Sequence, residues 1–123
     1  MAKTKPIRQI YVTSGTGTGR TELSALDAAL VDAGVIGYNM IPLSSIIPFG
    51  FKVVVEKPSL DLTRLGDRLY VVLAHKQQSE FGNKACAGLG WVHSAEGPEW
   101  GLFVEHCGSS EGYVKDHIFL SLE

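Results

Sequence analysis

Two adjacent serines, Ser44 and Ser45, lie inside the apolar stretch NMIPLSSIIPFGF at residues 39–51. Serine hydroxyls usually bond to nearby backbone groups, and this structural role is the first interpretation of the pair. A nucleophilic serine is the second, although no G-x-S-x-G motif surrounds either residue and spacing identifies no histidine as its base. In the third, the Ser45 hydroxyl attacks the Ser44 carbonyl of a peptide bond held out of its relaxed geometry. The residues alone leave these alternatives open.

An acidic residue interrupts the apolar positions of a predicted helix. In ELSALDAALVDA the spacing of Leu23, Leu26, Leu30 and Val31 predicts one buried face, and Asp27 lies within it. A carboxylate in that position either bonds to a neighbouring loop or binds a ligand. The sequence favours neither interpretation.

The elements that must position these residues are short. Thr21 is a predicted helix N-cap, and Gly34 ends the helix. The preceding GTGTG at residues 15–19 lacks the P-loop and dinucleotide-binding patterns, so we interpret it as a loop with unusual backbone angles. Strands are predicted at 7–14, 38–47, 51–56, 68–76, 85–93 and 99–106, with a turn at 94–99 and a second helix at 110–123. The pattern indicates one α+β domain over residues 1–123.

Composition narrows the classes of function. The formal charge of −2, without a long basic cluster, argues against nucleic acid as a partner. No apolar run approaches the roughly 20 residues of a membrane span, and no signal peptide is visible, so we expect a cytoplasmic protein without a membrane partner. Cys86 and Cys107 lack metal-ligand spacing and are expected to be buried thiols, with no metal bound.

Residues 14–50, SGTGTGRTELSALDAALVDAGVIGYNMIPLSSIIPFG, resemble the corresponding segment of the pyruvoyl-dependent arginine decarboxylases. The resemblance combines the glycine loop, the acid in ALDAAL, the AG stop, the asparagine of YNMIP and the SSIIP processing sequence. A second block, GLFVEHCGSSE at 101–111, is similar to the family strand that carries an essential glutamate. Together the two blocks imply the family's αββα sandwich, which we expect to be incomplete at the C-terminus because the chain stops within a helix.

The resemblance implies self-processing at the serine pair. Ser45 would attack the Ser44 carbonyl, and cleavage would give a β chain, 1–44, and an α chain, 45–123, that begins with a pyruvoyl group. That covalent cofactor condenses with a substrate amine and accepts electrons as carbon dioxide leaves. Pyridoxal phosphate is then unnecessary, and the implied reaction is L-arginine to agmatine, a step of polyamine biosynthesis.

Two residues acquire catalytic roles from the resemblance. Asn39 would orient the scissile carbonyl or stabilise its oxyanion, and in one unbroken strand it faces the same side as Ser45. The alternative role of Asn39 is structural, with its side-chain amide hydrogen-bonded to backbone groups of a turn after Gly37. Glu105 matches the family glutamate that returns a proton to the decarboxylated carbon. Its alternative is a solvated carboxylate at the end of a strand.

Substrate binding is implied on the first helix. Asp27 matches the family acid that meets the guanidinium group of the substrate, where a planar fork of donors suits a carboxylate. Leu23 and Leu30 would line the aliphatic part of that pocket. Lysine or another cationic amino acid would satisfy the same charge.

The early stop predicts a partner. Relatives of this kind continue beyond this point, and the missing strands would leave an open sheet edge and an uncovered apolar face. We therefore expect a homo- or hetero-oligomer, based on the family trimer, in which a second polypeptide completes the fold, unless the chain is a truncated form. A different class of function is also open, in which the chain stays uncut and serves as a catalytically silent structural or regulatory subunit.

Overall fold

The computed structural model describes residues 8–59, 61–80, 82–94 and 100–123. The elements follow in the order β1 (Arg8–Val12), α1 (Glu22–Ala33), β2 (Asn39–Pro42), β3 (Ile46–Ile47), β4 (Phe51–Val55), β5 (Arg68–Val71), β6 (Cys86–His93), β7 (Gly101–Gly108) and α2 (Glu111–Leu122). A 3₁₀ turn, Leu62–Arg64, precedes β5. This mixture of helices and strands confirms the α+β class. In the described ranges, neither helix is long and apolar enough to cross a membrane.

The strands form three small sheets. Strand β1 pairs in parallel with β4, and β2 pairs in parallel with β5. The third sheet is antiparallel, with β7 between β3 and β6. Strands β2 and β3 are neighbours in the chain but belong to different sheets, so the residues between them cross from one sheet to another.

The predicted strand at 38–47 is wrong as a single element. It divides into β2 and β3, and residues 43–45 lie in neither strand. The predicted strand at 68–76 also ends early, at Val71. Both strands end together: Pro42 and Val71 are the last register pair, and the Leu43 nitrogen donates one further hydrogen bond to the Val71 carbonyl.

Helix α1 has the predicted ends. The Thr21 hydroxyl accepts a 3.0 Å hydrogen bond from the Ser24 backbone nitrogen, and the Ser24 hydroxyl accepts one from the Thr21 nitrogen. This reciprocal capping box satisfies two amide groups at the helix start. Gly34 ends the helix with a left-handed φ of 82°, a backbone conformation in which a Cβ atom is unfavourable.

The predicted buried face of α1 is wrong. Leu23 and Val31 are 68% and 56% exposed, and the helix instead turns its alanines toward the glycine loop. A Cβ atom at Gly15 would overlap the Ala29 carbonyl oxygen and the Ala33 nitrogen. Only glycine facing alanine permits this approach of loop and helix backbones, so Leu23 and Val31 remain outside while Leu26 and Leu30 are half-buried.

Helix α2 packs on the third sheet. Its side chains Val114, Ile118 and Leu122 lie against Gly88 and Gly90 of β6, where a Cβ atom would meet them at close range. Their spacing is the helical one predicted from the sequence. The predicted start is also accurate, because the Ser110 hydroxyl accepts a 3.1 Å bond from the Tyr113 nitrogen.

The core is small. Among the described residues, the buried hydrophobic side chains are Ala33, Ile47, Phe103 and Val114. Seventeen large hydrophobic side chains of the same described ranges are exposed.

The remaining sequence predictions concern the cysteines and one turn. Cys86 and Cys107 are free thiols; Cys86 is half-buried and Cys107 is exposed, so the predicted burial is wrong for both. Strand β3 pairs β7 only at Gly101 and Leu102, so its two residues do not extend along β7 to Cys107. The predicted turn at 94–99 lies, apart from Ser94, outside the described residues.

Candidate active site

The peptide link between Ser44 and Ser45 lies where the chain crosses between two sheets. On one side, the Leu43 nitrogen donates a 2.7 Å hydrogen bond to the Val71 carbonyl at the end of β5. On the other, the Ser45 carbonyl accepts a 2.7 Å bond from the Phe103 nitrogen of β7. Ser44 is exposed, Ser45 is half-buried, and no hydrogen bond to either hydroxyl occurs within the described residues. The link is therefore anchored at both ends while its hydroxyls are uncommitted.

The hydrogen bond between Ser45 and Phe103 lies beside the hydrophobic core. Ile47 of β3 is fully buried and pairs with Gly101, and Phe103 is 4% exposed. The Phe103 ring packs against Trp91, with ring centroids 6.2 Å apart and planes tilted by 60°. Aromatic pairs in this arrangement contribute beyond their buried area. The backbone that leaves Ser45 is thus held by the best-packed part of the molecule.

Glu105 lies on the same face of the sheet as this anchor. The pairing of Ile46 with Leu102, continued by one residue, sets Ser45 opposite Phe103. Glu105 is two residues further along β7, and alternate residues of a strand share a face. Such diagonal neighbours across antiparallel strands lie about 7–8 Å apart. Continued in this way, the register makes Ser45 and Glu105 diagonal neighbours.

Glu105 opens into a cleft of about 380 Å³. The cleft is lined by Leu73, Ala74, His75, Glu105, His106 and Cys107. The carboxylate itself is exposed and lies in the middle of β7 rather than at its end. A small molecule can thus reach Glu105 from the side that β3 leaves uncovered.

Asn39 has partners away from the serine pair. Its Nδ2 donates a 2.6 Å hydrogen bond to the Gly66 carbonyl. Its backbone nitrogen donates a 2.8 Å hydrogen bond to the Asp67 backbone carbonyl. Because residues 43–45 lie outside both strands, the shared parity of Asn39 and Ser45 does not follow from a continuous strand. In this chain the Asn39 amide joins the start of β2 to the turn before β5.

The predicted substrate-binding residues lie along α1. Leu23 and Asp27 are exposed, and Leu30 is half-buried. Within the described residues, no hydrogen bond connects these side chains with the serine pair. They form an open surface one helix turn apart, accessible to a ligand or to another protein.

Sequence reasoning missed the segment between β5 and β6 as a contributor to the site. The Gln77 Nε2 donates a 2.6 Å bond to the Glu22 carbonyl, which ties this segment to the start of α1. Its His75 lines the Glu105 cleft. The polar run HKQQ directly after an apolar strand was the available signal, but the apolar residues before it extended the predicted strand too far.

The donor groups of the site do not suit a metal ion. In the ranges described above, no three His, Cys, Asp or Glu side chains are grouped so as to bind one. The serine pair instead fits a cofactor made from the chain itself. The Ser45 hydroxyl directly follows the exposed Ser44, and the peptide link between them is anchored at both ends. This chemistry requires no separate binding pocket for a prosthetic group.

Comparison with known proteins identifies the family. Residues 9–119 match the family model of pyruvoyl-dependent arginine decarboxylase. Proteins of that name are 41% identical over 97 residues in Halobacterium salinarum, 34% over 98 in Thermoplasma volcanium and 35% over 108 in Thermococcus sibiricus. These alignments cover 79%, 80% and 88% of this chain, and 59%, 54% and 66% of the respective relatives. The chain thus spans little more than half the length of the first two relatives. Because the family model matches nearly the whole chain, the protein belongs to the pyruvoyl-dependent arginine decarboxylase family.

Proposed function

We propose that this chain cuts itself between Ser44 and Ser45 and acts as a subunit of a pyruvoyl-dependent decarboxylase that converts L-arginine to agmatine and carbon dioxide. The observation that carries the proposal is the position of the serine pair. The link crosses between two sheets and is held by 2.7 Å hydrogen bonds at Leu43 and Ser45. Neighbouring sheets thus restrain its ends while the bond between them can rearrange.

The processing step needs only the chain and one water molecule. The Ser45 oxygen attacks the Ser44 carbonyl carbon, the C–N bond breaks, and an ester forms with the freed amine on residue 45. Elimination then breaks the ester C–O bond, leaving a carboxylate on Ser44 and a dehydroalanine at position 45. Water hydrolyses the dehydroalanine to the pyruvoyl group and releases ammonia. The products are the β chain, residues 1–44, and the α chain, residues 45–123.

The pyruvoyl group would supply the electron sink that decarboxylation requires. Glu105 would give a proton to the substrate carbon, and its location diagonal to Ser45 supports that role. Asn39 would stabilise the negative oxygen that develops on the Ser44 carbonyl during processing. In the isolated chain the same amide donates one hydrogen bond to the Gly66 carbonyl, and its second N–H would serve this role.

Arginine is the proposed substrate because of the charge on α1. The relatives are named as arginine decarboxylases, and Asp27 is an exposed acid between Leu23 and Leu30. Its carboxylate can accept two parallel hydrogen bonds from a guanidinium group. The flanking leucines would contact the aliphatic chain of the same substrate.

An oligomer is part of the proposal. Exposed side chains include Leu23 and Val31 on α1 and Phe119 and Leu120 on α2. Burial of such surface stabilises association by roughly 25 cal/mol per Å² before the cost of association is subtracted. We propose that other protomers, or a second polypeptide, cover these faces and complete the family's αββα sandwich.

A catalytically silent subunit is the second candidate. The observation in its favour is the Asn39 amide, which is bound to Gly66 rather than positioned at the Ser44 carbonyl. A chain that remained uncut would retain the exposed apolar faces and would serve as a structural or regulatory partner of an active subunit.

Intact-mass measurement after incubation at neutral pH distinguishes the two candidates. The decarboxylase yields two fragments that separate after Ser44, the second with a pyruvoyl terminus, and Ser45→Ala remains whole. Ser44→Ala is the matched control, because it keeps the attacking hydroxyl. Carbon dioxide release from arginine, lysine and ornithine then tests the substrate. A single uncut mass for the wild-type chain in its assembled form would support the silent subunit instead.

A further inference from the structure

The segment that follows β5 is held at both ends. Before it, the Val71 carbonyl accepts the hydrogen bond from Leu43, next to the serine pair. After it, Gln77 donates to the Glu22 carbonyl at the start of α1. Residues 72–76 therefore span the distance between the proposed cleavage site and the proposed substrate-binding helix.

His75 lies in the middle of this segment and lines the same cleft as Glu105. The side chain of His75 is exposed, so its ring can exchange protons with water. The other titratable residues of the cleft are His106 and Cys107 of β7, and Lys76 is the charged neighbour of His75 in the chain.

The reaction of the proposed function consumes a proton in every turnover. The bond between the substrate α-carbon and its carboxylate breaks, carbon dioxide leaves, and a new C–H bond forms on that carbon. If Glu105 donates this proton, it is left as a carboxylate and must be reprotonated before the next substrate. A group in the cleft that passes protons from water to Glu105 would speed this step.

We infer that His75 is this group: a positioning residue that takes a proton from solvent and delivers it to Glu105 within the shared cleft. The inference rests on the proposed function. An imidazole is suited to the task because it gains and loses a proton readily in neutral solution. His75 acts through Glu105 and does not itself contact the substrate carbon.

His106 is excluded from this role by its hydrogen bonds. The Ser121 hydroxyl donates to the His117 carbonyl at 2.8 Å, so its oxygen accepts the 2.8 Å bond from the His106 Nε2. Adjacent residues of a strand face opposite sides, and Ser121 belongs to α2, on the side of the sheet away from Glu105. The His106 ring is thus committed to the opposite face.

The test uses the assembled, processed protein and compares His75→Ala and His75→Gln with the wild type. We expect kcat with saturating arginine to fall about tenfold in both variants, less than the 10²–10⁴ of a direct proton donor. Added imidazole should restore the rate of His75→Ala in proportion to its concentration and leave the wild type unchanged. The basic limb of the kcat profile should move to lower pH in His75→Gln. His93→Gln, which changes an exposed histidine of β6 that does not line this cleft, is the control, and intact mass verifies that each variant is cleaved.

The outcomes separate this inference from the proposed function. Wild-type activity with an unchanged kcat in both His75 variants would overturn the role of His75 alone. A lowered kcat without imidazole rescue would indicate a structural effect and would also overturn it. A wild-type protein that releases no carbon dioxide would contradict the proposed function itself.

Discussion

The backbone nitrogen of Phe103 donates a 2.7 Å hydrogen bond to the carbonyl of Ser45. This bond fixes the residue that supplies the proposed nucleophile to the strand that carries Glu105. Processing and decarboxylation would therefore share one rigid element. The α chain that begins at residue 45 would keep its new terminus attached to β7 after cleavage.

Ile47 should control the rate of cleavage through this anchor. The side chain is fully buried two residues after Ser45, and Ile47→Ala should lower the free energy of unfolding by about 2–5 kcal/mol. Loosening β3 should also slow the separation of the two chains, as measured by intact mass over time. Ile47→Val, which costs about 0.5–1.5 kcal/mol, is the matched control and should be cleaved at a nearly normal rate. Equal cleavage rates in both variants would argue against β3 as the element that positions Ser45.

A variant of Asn39 should distinguish a catalytic role of its amide from a purely structural one. Asn39→Ala removes the bond to Gly66, which should cost about 1 kcal/mol of stability. If the amide also stabilises the oxyanion, cleavage should slow by about 10²–10³. We expect the slower cleavage, measured by intact mass at a temperature where the variant is fully folded. Gly66 has a left-handed φ of 86°, so a variant of that residue would introduce strain and is unsuitable as a control. A wild-type rate in Asn39→Ala would leave the amide with its structural role alone.

Local signals made part of the fold predictable. Thr21 and Gly34 act on the backbone within one turn of themselves, so the ends of α1 were evident from the sequence. The serine pair was found for a similar reason, since its chemistry depends on two adjacent residues. Glu105 required the family resemblance, because a single carboxylate on a strand has no distinctive spacing.

Features that depend on distant partners were not predictable. Leucine and alanine stripes both follow the helical period on α1, and only the approach of Gly15 selects the alanine face. The end of β5 at Val71 coincides with the end of β2 at its register partner Pro42, which is 29 positions earlier in the chain. His75 was missed because its neighbour in the cleft belongs to β7. In each case the deciding contact joins residues far apart in sequence.

Gly15 should tolerate no side chain. In Gly15→Ala the added Cβ would overlap backbone atoms of Ala29 and Ala33, so we expect a loss of about 1–3 kcal/mol in thermal or chemical unfolding. Gly112 in α2 is the matched control, because its Cβ position has open space within 4 Å. Gly112→Ala should raise stability by about 0.5–1 kcal/mol, the difference in helix propensity. Similar effects at the two positions would contradict the close packing of loop and helix.

Asp61 should titrate below its ordinary range. The Thr63 hydroxyl donates a 2.6 Å bond to the carboxylate and the Thr63 nitrogen a 3.0 Å bond, and these hold the pKa of Asp61 below 3.8. Because the folded pKa is lowered, the stabilisation is present above the unfolded value and is lost as the pH falls through the folded value. Thr63→Ala should raise the pKa of Asp61 toward 3.8 in an NMR titration. An unchanged Asp61 titration in that variant would show that the hydroxyl is not the main cause.

Asp27 should determine affinity for the substrate rather than the rate of its decarboxylation. In Asp27→Asn the carboxylate that would pair with the guanidinium is lost, so KM for arginine should rise by roughly 10–100-fold, equivalent to about 1.4–2.7 kcal/mol. The reacting carbon lies at the other end of the substrate, and kcat should change less than KM. Asp116→Asn removes an equally exposed helical carboxylate from α2 and should leave both constants unchanged. Steady-state kinetics on the cleaved, assembled protein provides the measurement. An unchanged KM in Asp27→Asn would show that the guanidinium group does not bind to this face of α1. A loss of kcat alone would indicate that Asp27 acts at the reacting centre.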